Sequence, residues 1–229
     1  MCGIVGFTGA AQAAPILLDG LAKLEYRGYD SAGMAVQNAA GKIEVVKAKG
    51  RLKVLSEMTD GGSAVPGSCG IGHTRWATHG EPSVINAHPH YSRDQKIAVV
   101  HNGIIENFLP LKEFLLKQGK TFRSETDTEV IANLLEYYYE QKNDLRKAVR
   151  LTLGRIEGSY ALGILCADRP DSMIAVKKDS PLIFGFGEGE NFIASDVPAI
   201  LPYTRSVVYL NDGDMVVFTK NAAQFYDAN

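Results

Sequence analysis

The sequence predicts an α+β fold with layered, mainly antiparallel sheets, and three observations lead there. Strand-like and helix-like segments do not alternate regularly, as a doubly wound parallel sheet would require. Three helical segments follow one another through the middle of the chain. From Ser159 onward the pattern is strands joined by short turns. No repeat, low-complexity tract or linker divides the chain, so one domain over residues 1–229 is expected.

The first unit is a strand followed by a helix. Residues 3–7, Gly-Ile-Val-Gly-Phe, read as a buried strand. Residues 14–24 place Leu17, Leu18, Leu21 and Leu24 on one helical face, with Pro15 suited to the first turn. Strand-like runs follow at 33–37 and 43–47, then a short helical stretch at 52–58. Strands at 70–74 and 97–101 bracket a polar loop, 75–95, that contains Pro82, Pro89 and three histidines; a loop of that length in a compact domain is usually functional. Helices are expected at 106–118, 128–141 and 144–156. The middle one carries a start signal in which Thr126 caps and Glu129 reaches back as the capping-box partner. Strands are then expected at 160–166, 173–176, 182–186, 192–194, 207–210 and 215–219. Asn211-Asp212-Gly213 reads as a hairpin turn, and the glycine-rich stretch 185–189 as a turn.

Composition narrows the function. With 45% hydrophobic and 22% charged residues the chain is ordinary globular protein, and a net charge of −2 gives no footprint for nucleic acid or an anionic membrane. No apolar run approaches the ~20 residues needed to cross a bilayer. The apolar segment 5–18 has no basic stretch before it, which argues against a signal peptide. Three widely spaced cysteines, Cys2, Cys69 and Cys166, make a poor disulfide framework and point to the reducing cytoplasm.

Four segments carry the chemistry. Cys2, directly behind Met1, becomes the first residue once that methionine is removed, and then holds a thiol and a free α-amine together. Such an amine titrates at about 7.7–8.0, near the pH where a general base works best. By itself Cys2 also fits a small apolar residue opening a strand. The second segment is Arg75-Trp76-Ala77-Thr78-His79-Gly80, where Arg75 either grips a carboxylate or makes a structural ion pair, and Trp76 can cover a ligand. Asn102 and the Gly103 N–H, the third, form a workable donor pair for an oxyanion or an ordinary Asn-Gly turn. The fourth is Asp127, which either binds an ammonium group or places negative charge at a helix start. The five histidines lack the spacing of a zinc site, so no metal is expected and they read as loop packing.

Together these segments resemble the glutaminase domain of class II glutamine amidotransferases, among the N-terminal nucleophile hydrolases. The likeness is carried by Met1-Cys2-Gly3-Ile4-Val5-Gly6, by 24–33 with Tyr26-Arg27-Gly28-Tyr29-Asp30-Ser31, by 74–80, by His101-Asn102-Gly103 through Asn107, and by 124–129. The second and third pieces narrow it to the sugar-phosphate aminotransferase branch. The resemblance implies a four-layer α/β/β/α sandwich. It implies that Cys2 attacks the carboxamide of L-glutamine, its α-amine handling the proton, with Asn102 and Gly103 as oxyanion hole. L-Glutamate and ammonia are released through a thioester, without a cofactor. Arg75 would hold the substrate carboxylate and Asp127 its ammonium; Trp76, Thr78 and His79 would belong to a closing loop, and Arg27 would support the site. In the parent enzyme, a homo-oligomer, sugar-phosphate isomerase lobes absent from these residues would use the ammonia to convert fructose 6-phosphate to glucosamine 6-phosphate. Two alternatives remain: the glutaminase half of another class II amidotransferase, or a non-catalytic glutamine-binding module if Met1 is retained.

Overall fold

A computed structural model describes residues 2–77 and 80–227. Among them lie β1 (Gly3–Thr8), α1 (Ala13–Ala22), β2 (Ser31–Gln37), β3 (Ile43–Lys49), α2 (Leu52–Met58), β4 (Cys69–Arg75), β5 (His90–Tyr91) and β6 (Ile97–Ile105). Then come α3 (Phe108–Lys117), α4 (Thr128–Lys142), α5 (Leu145–Leu153), β7 (Gly158–Cys166), β8 (Met173–Lys178), β9 (Ile183–Phe186), β10 (Asn191–Ala194), β11 (Ser206–Tyr209), β12 (Met215–Phe218) and β13 (Ala223–Tyr226). A seven-stranded sheet runs β11-β9-β10-β1-β4-β2-β3 and a six-stranded one β13-β12-β8-β7-β6-β5. Neighbouring strands are antiparallel in both.

Strict alternation along each strand builds the layers, because successive side chains leave opposite faces of a sheet. In β1, Ile4 joins the core between the two sheets, whereas Val5 joins the core under α1 and α2. In β6, Ala98 and Val100 face the other sheet while Ile97 and Val99 pack under α3, α4 and α5. The result is helices, sheet, sheet, helices: the four-layer α/β/β/α arrangement. Leu17 and Leu21 of α1 are fully buried on its sheet-facing side. Pro15 sits in that helix's first turn, where its missing N–H leaves no bond unmade. Asp144 caps α5 by accepting from the Lys147 N–H at 3.1 Å.

Four local expectations are corrected. β6 does not stop at His101 but runs on through Asn102 and Gly103, which pair with Ala161 and Tyr160 of β7, so the Asn-Gly dipeptide is strand and not turn. Asn211-Asp212-Gly213 does turn the chain, but it carries it from β11 in one sheet to β12 in the other and forms no hairpin. β13, which the sequence reading missed, pairs along β12. The capping box is absent: Glu129 reaches back past Thr126 to accept from Ser124 N–H at 2.6 Å and Arg123 N–H at 2.8 Å, because Thr126 is engaged with Ser124 and His90.

Ile193 of β10 fills the inter-sheet layer where Gly6 and Gly163 leave room; Cβ atoms added at those glycines would lie 2.6 and 3.0 Å from it. Ile193→Ala is expected to cost about 2–5 kcal/mol of stability, as a fully buried branched side chain is lost from a layer that cannot collapse. Urea unfolding at neutral pH measures it, and a loss well below 1 kcal/mol would contradict this account of the layer.

Candidate active site

Cys2 stands one residue before β1, at the end of the seven-stranded sheet that also carries Arg75 at the end of β4. Asn102 and Gly103 lie in β6 of the other sheet. Sheet packing brings these ends together around a cavity of about 270 Å³ lined by Cys2, Arg27, Arg75, Trp76, Asn102, Gly103 and Asp127. Seven of the nine residues singled out from the sequence therefore converge on one space. Thr78 and His79, like Met1, lie outside the described residues.

The Cys2 sulfur is held by backbone. Its Sγ accepts from the Trp76 N–H at 3.3 Å and lies 3.6 Å from the Trp76 carbonyl oxygen, to which the thiol donates. Burial raises the thiol pKa above its usual value, partly offset by the bond to the Trp76 backbone. The thiol is therefore held in its neutral form. The Arg75–Trp76 peptide is itself seated against Gly28, where a Cβ would stand 2.6 Å from the Arg75 carbonyl carbon. Asp30 ties down the next stretch, accepting from the Ala77 N–H and from the Ser31 hydroxyl, the latter at 2.9 Å. Half-exposed Trp76 packs edge-on against Tyr29, its indole 5.3 Å away.

Asn102 Nδ2 donates to the Cys2 carbonyl oxygen at 2.9 Å, linking the two sheets at Cys2. Gly103 has φ +126, a conformation side chains resist, and a Cβ there would lie 2.1 Å from the Ser159 carbonyl oxygen. Arg75 is buried and donates to the Gly80 and Glu81 carbonyl oxygens at 3.1 and 3.4 Å, so it shapes the loop that follows it. Asp127 is buried at the start of α4, and one carboxylate oxygen accepts from the Ile105 N–H at 2.7 Å. Arg27 pairs with Asp196 at 2.7 Å, and Tyr26 donates to the same oxygen at 2.7 Å. A cation and an anion thus flank a thiol and an amide donor, a charge pattern matched to a small zwitterion.

A cluster of buried histidines adjoins the cavity, with His88 and His101 in its wall. His73 stacks on His88 with ring centres 4.1 Å apart, and His88 meets His90 edge-on at 4.8 Å. The His101 N–H donates to His88 Nδ1 at 3.3 Å, and His101 itself bridges Thr128 and Ser159. Burial lowers all four pKa values, that of His73 to about 3. Sequence reasoning left these residues as loop packing and did not find the structural partners Ser180 and Pro181, which enter the cavity wall from the β8–β9 connection. A Ser-Pro pair between strands carries no signal by itself. Asp30 lay inside a quoted motif, yet only the fold reveals the backbone it holds.

A two-sheet sandwich with a cysteine pinned at the head of a central strand, facing an amide donor of the opposite sheet, defines the class of N-terminal nucleophile amidotransferases. The family described as "Glutamine amidotransferase domain" matches residues 58–226, and the chain belongs to it. Glutamine--fructose-6-phosphate aminotransferase [isomerizing] from Caldanaerobacter subterraneus subsp. tengcongensis is 60% identical over 227 residues, covering 99% of this chain and 37% of the relative. The protein of that name from Clostridium acetobutylicum is 56% identical, with 99% and 36% covered. The chain therefore spans a little over a third of the length of these relatives. Among solved structures, the glutamine phosphoribosylpyrophosphate amidotransferase from B. subtilis, complexed with ADP and GMP, superimposes with a TM-score of 0.86 at 26% identity. It matches 100% of this chain and 49% of that one.

The histidine cluster makes stability pH-dependent. A histidine whose folded pKa lies below its unfolded value of about 6.5 favours the folded state above that value, and the contribution is lost as pH falls below it. Each such ring withdraws up to about 1.36 kcal/mol per pH unit below 6.5. Urea midpoints measured at pH 7.5 and 5.5 should therefore fall at the lower pH. Equal midpoints would contradict the neutral, buried state of these rings.

Proposed function

We propose that residues 1–229 act as one glutaminase domain that hydrolyses L-glutamine to L-glutamate and ammonia. The observation that carries this reading is the single cavity in which the Cys2 thiol, Asn102, Gly103, Arg75 and Asp127 meet. With the Met1–Cys2 peptide bond cleaved, the Cys2 α-amine takes the thiol proton while Sγ bonds to the side-chain carbonyl carbon of glutamine. The oxygen becomes an oxyanion, met by Asn102 Nδ2–H and Gly103 N–H. Its collapse breaks the carbon–nitrogen bond, the proton passes to the departing nitrogen, and ammonia leaves a thioester. Water then adds, and glutamate departs as the thiol is restored. Arg75 holds the α-carboxylate and Asp127 the α-ammonium, which selects an α-amino acid and leaves its amide end at the thiol. Trp76, Thr78 and His79 cover the bound substrate, and Arg27 steadies the wall beside Cys2.

The names of the relatives, and the fact that they are far longer, support a parent enzyme in which sugar-phosphate isomerase lobes receive the ammonia and convert fructose 6-phosphate to glucosamine 6-phosphate. That parent is a homo-oligomer and works in the reducing cytoplasm, where Cys2, Cys69 and Cys166 stay free as they are here. Supplying the full-length protein with glutamine and fructose 6-phosphate tests this; failure of glutamine nitrogen to reach the sugar contradicts the acceptor.

Glutamate release by protein whose intact mass shows a chain starting at Cys2 tests the hydrolase reading. Cys2→Ala should abolish it, and a fully active variant would sink the mechanism. Arg75→Ala should raise the KM for glutamine, with loss of one partner of a buried charged contact costing about 2–4 kcal/mol. An unchanged KM would remove Arg75 from substrate recognition.

A further inference from the structure

We propose that His73 is a positioning residue that sets the Asn102 carboxamide, turning its nitrogen toward Cys2; this rests on Asn102 being an oxyanion donor. His73 belongs to the seven-stranded sheet, paired with Ile4 of β1 and Gly33 of β2. Its buried ring crosses to the other sheet, where Nε2 lies 3.0 Å from the His101 carbonyl oxygen and 3.0 Å from Asn102 Oδ1. A backbone carbonyl can only accept, so Nε2 carries the proton. A protonated Nε2 can only donate, so the end of the carboxamide facing it has to be oxygen. The amide nitrogen is then directed the opposite way, where it donates to the Cys2 carbonyl oxygen at 2.9 Å.

The two ends of an asparagine carboxamide are nearly identical in shape, and only hydrogen bonding tells them apart. A flipped carboxamide would set donor against donor at His73, whose ring is fully buried, and oxygen against oxygen at the Cys2 carbonyl. His73 is kept in this role by its surroundings. Its ring is stacked on His88 with an interplanar angle of 12°, and its other nitrogen, Nδ1, is buried without a partner. Burial lowers its pKa to about 3, so the ring remains a single donor wherever the protein is folded near neutrality. The charge of the site therefore does not pass through His73. What it supplies is the orientation of an uncharged dipole.

The test compares glutamate release by protein starting at Cys2 in its parent form and as His73→Phe, His73→Gln, Asn102→Ala and the His73→Phe/Asn102→Ala double variant. Loss of an oxyanion donor typically lowers kcat by about 10²–10³-fold, and a disoriented one should lower it by about 10–100-fold. We expect His73→Phe to do so with the glutamine KM changed by less than about twofold, the pattern of an interaction made only in the transition state. His73→Gln, which can still offer an amide N–H, should recover much of the rate, and the double variant should be no slower than Asn102→Ala. Normal kcat in His73→Phe beside an impaired Asn102→Ala overturns this inference and leaves the oxyanion reading standing. Normal kcat in Asn102→Ala overturns both. If His73→Phe does not fold, nitrogen-15 NMR of the parent decides: a proton on Nε2 of His73 is required, and one on Nδ1 refutes the proposal.

Discussion

Face-to-face packing of the two sheets is the constraint on which the site depends. Cys2 and Arg75 belong to one sheet, Asn102 and Gly103 to the other, and they meet only because the layer between the sheets is thin and fully packed. Small residues make that approach possible: Ala35, Ala98, Ala161 and Ala175 face the layer, and larger side chains such as Ile4, Ile71 and Phe184 fill what they leave. Hydrogen bonds then join the sheets at the cavity, from Asn102 to the Cys2 carbonyl and from His73 to both the His101 carbonyl and the Asn102 carboxamide. Bonds of this kind add little net stability, but a buried polar group without its partner is expensive. Register at the cavity is thus fixed more by the cost of misalignment than by the strength of the bonds.

The same burial sets the electrostatics. Arg75 lies beside a histidine cluster whose rings stay uncharged, because desolvation penalises a second positive charge more than any neighbour repays. Positive charge at this end of the cavity is therefore carried by Arg75 alone among these groups, with Asp127 as the negative pole across the cavity. Neutral imidazoles remain useful as shaped hydrogen-bonding pieces. His101 bonds Thr128 and Ser159, and His90 bonds Thr126, so the rings anchor the start of α4 and the end of β6 to the wall behind them. Lys47 contributes from the far side, donating to the Ile85 and Pro89 carbonyl oxygens at 3.1 and 3.5 Å. Those bonds hold the loop that contains His88.

Much of this was legible in the sequence where periodicity and chemistry agree. The run Gly3 to Phe7 is short and apolar throughout, as a strand buried on both faces should be, and α1 displays its leucines on one face, so both elements emerge close to their true limits. The dipeptide Asn102-Gly103 is harder, since its local preference is a turn and only pairing with β7 makes it strand. Glu129 follows the capping spacing and yet bonds Ser124, because Thr126 has been drawn to His90, a partner 36 residues earlier. Asn211 to Gly213 carries a hairpin signature, but local turn chemistry does not specify which sheet receives the next strand. His73 illustrates the deepest limit: a histidine within a strand looks the same whether it fills space or orients an amide, and its partner is 29 residues away.

Cysteine suits the position at the head of β1 for a reason beyond its reactivity. Its side chain has a single rotatable bond to the sulfur, so ordering it costs little conformational entropy compared with a long nucleophile such as lysine. Here the residue is held at both ends, with its carbonyl oxygen accepting from Asn102 and its sulfur bonded to the Trp76 backbone. Once backbone and sulfur are fixed, the direction of the remaining α-nitrogen is fixed as well, because all three share one Cα. In the proposed mechanism, nucleophile and base then keep a constant separation without a second side chain having to be positioned, which is the benefit of near-attack geometry arranged in advance. The cost is transferred to the framework. Gly28 has to let the Arg75–Trp76 peptide approach, and Asp30 has to hold the next residue, so that the sulfur's backbone partner stays in place.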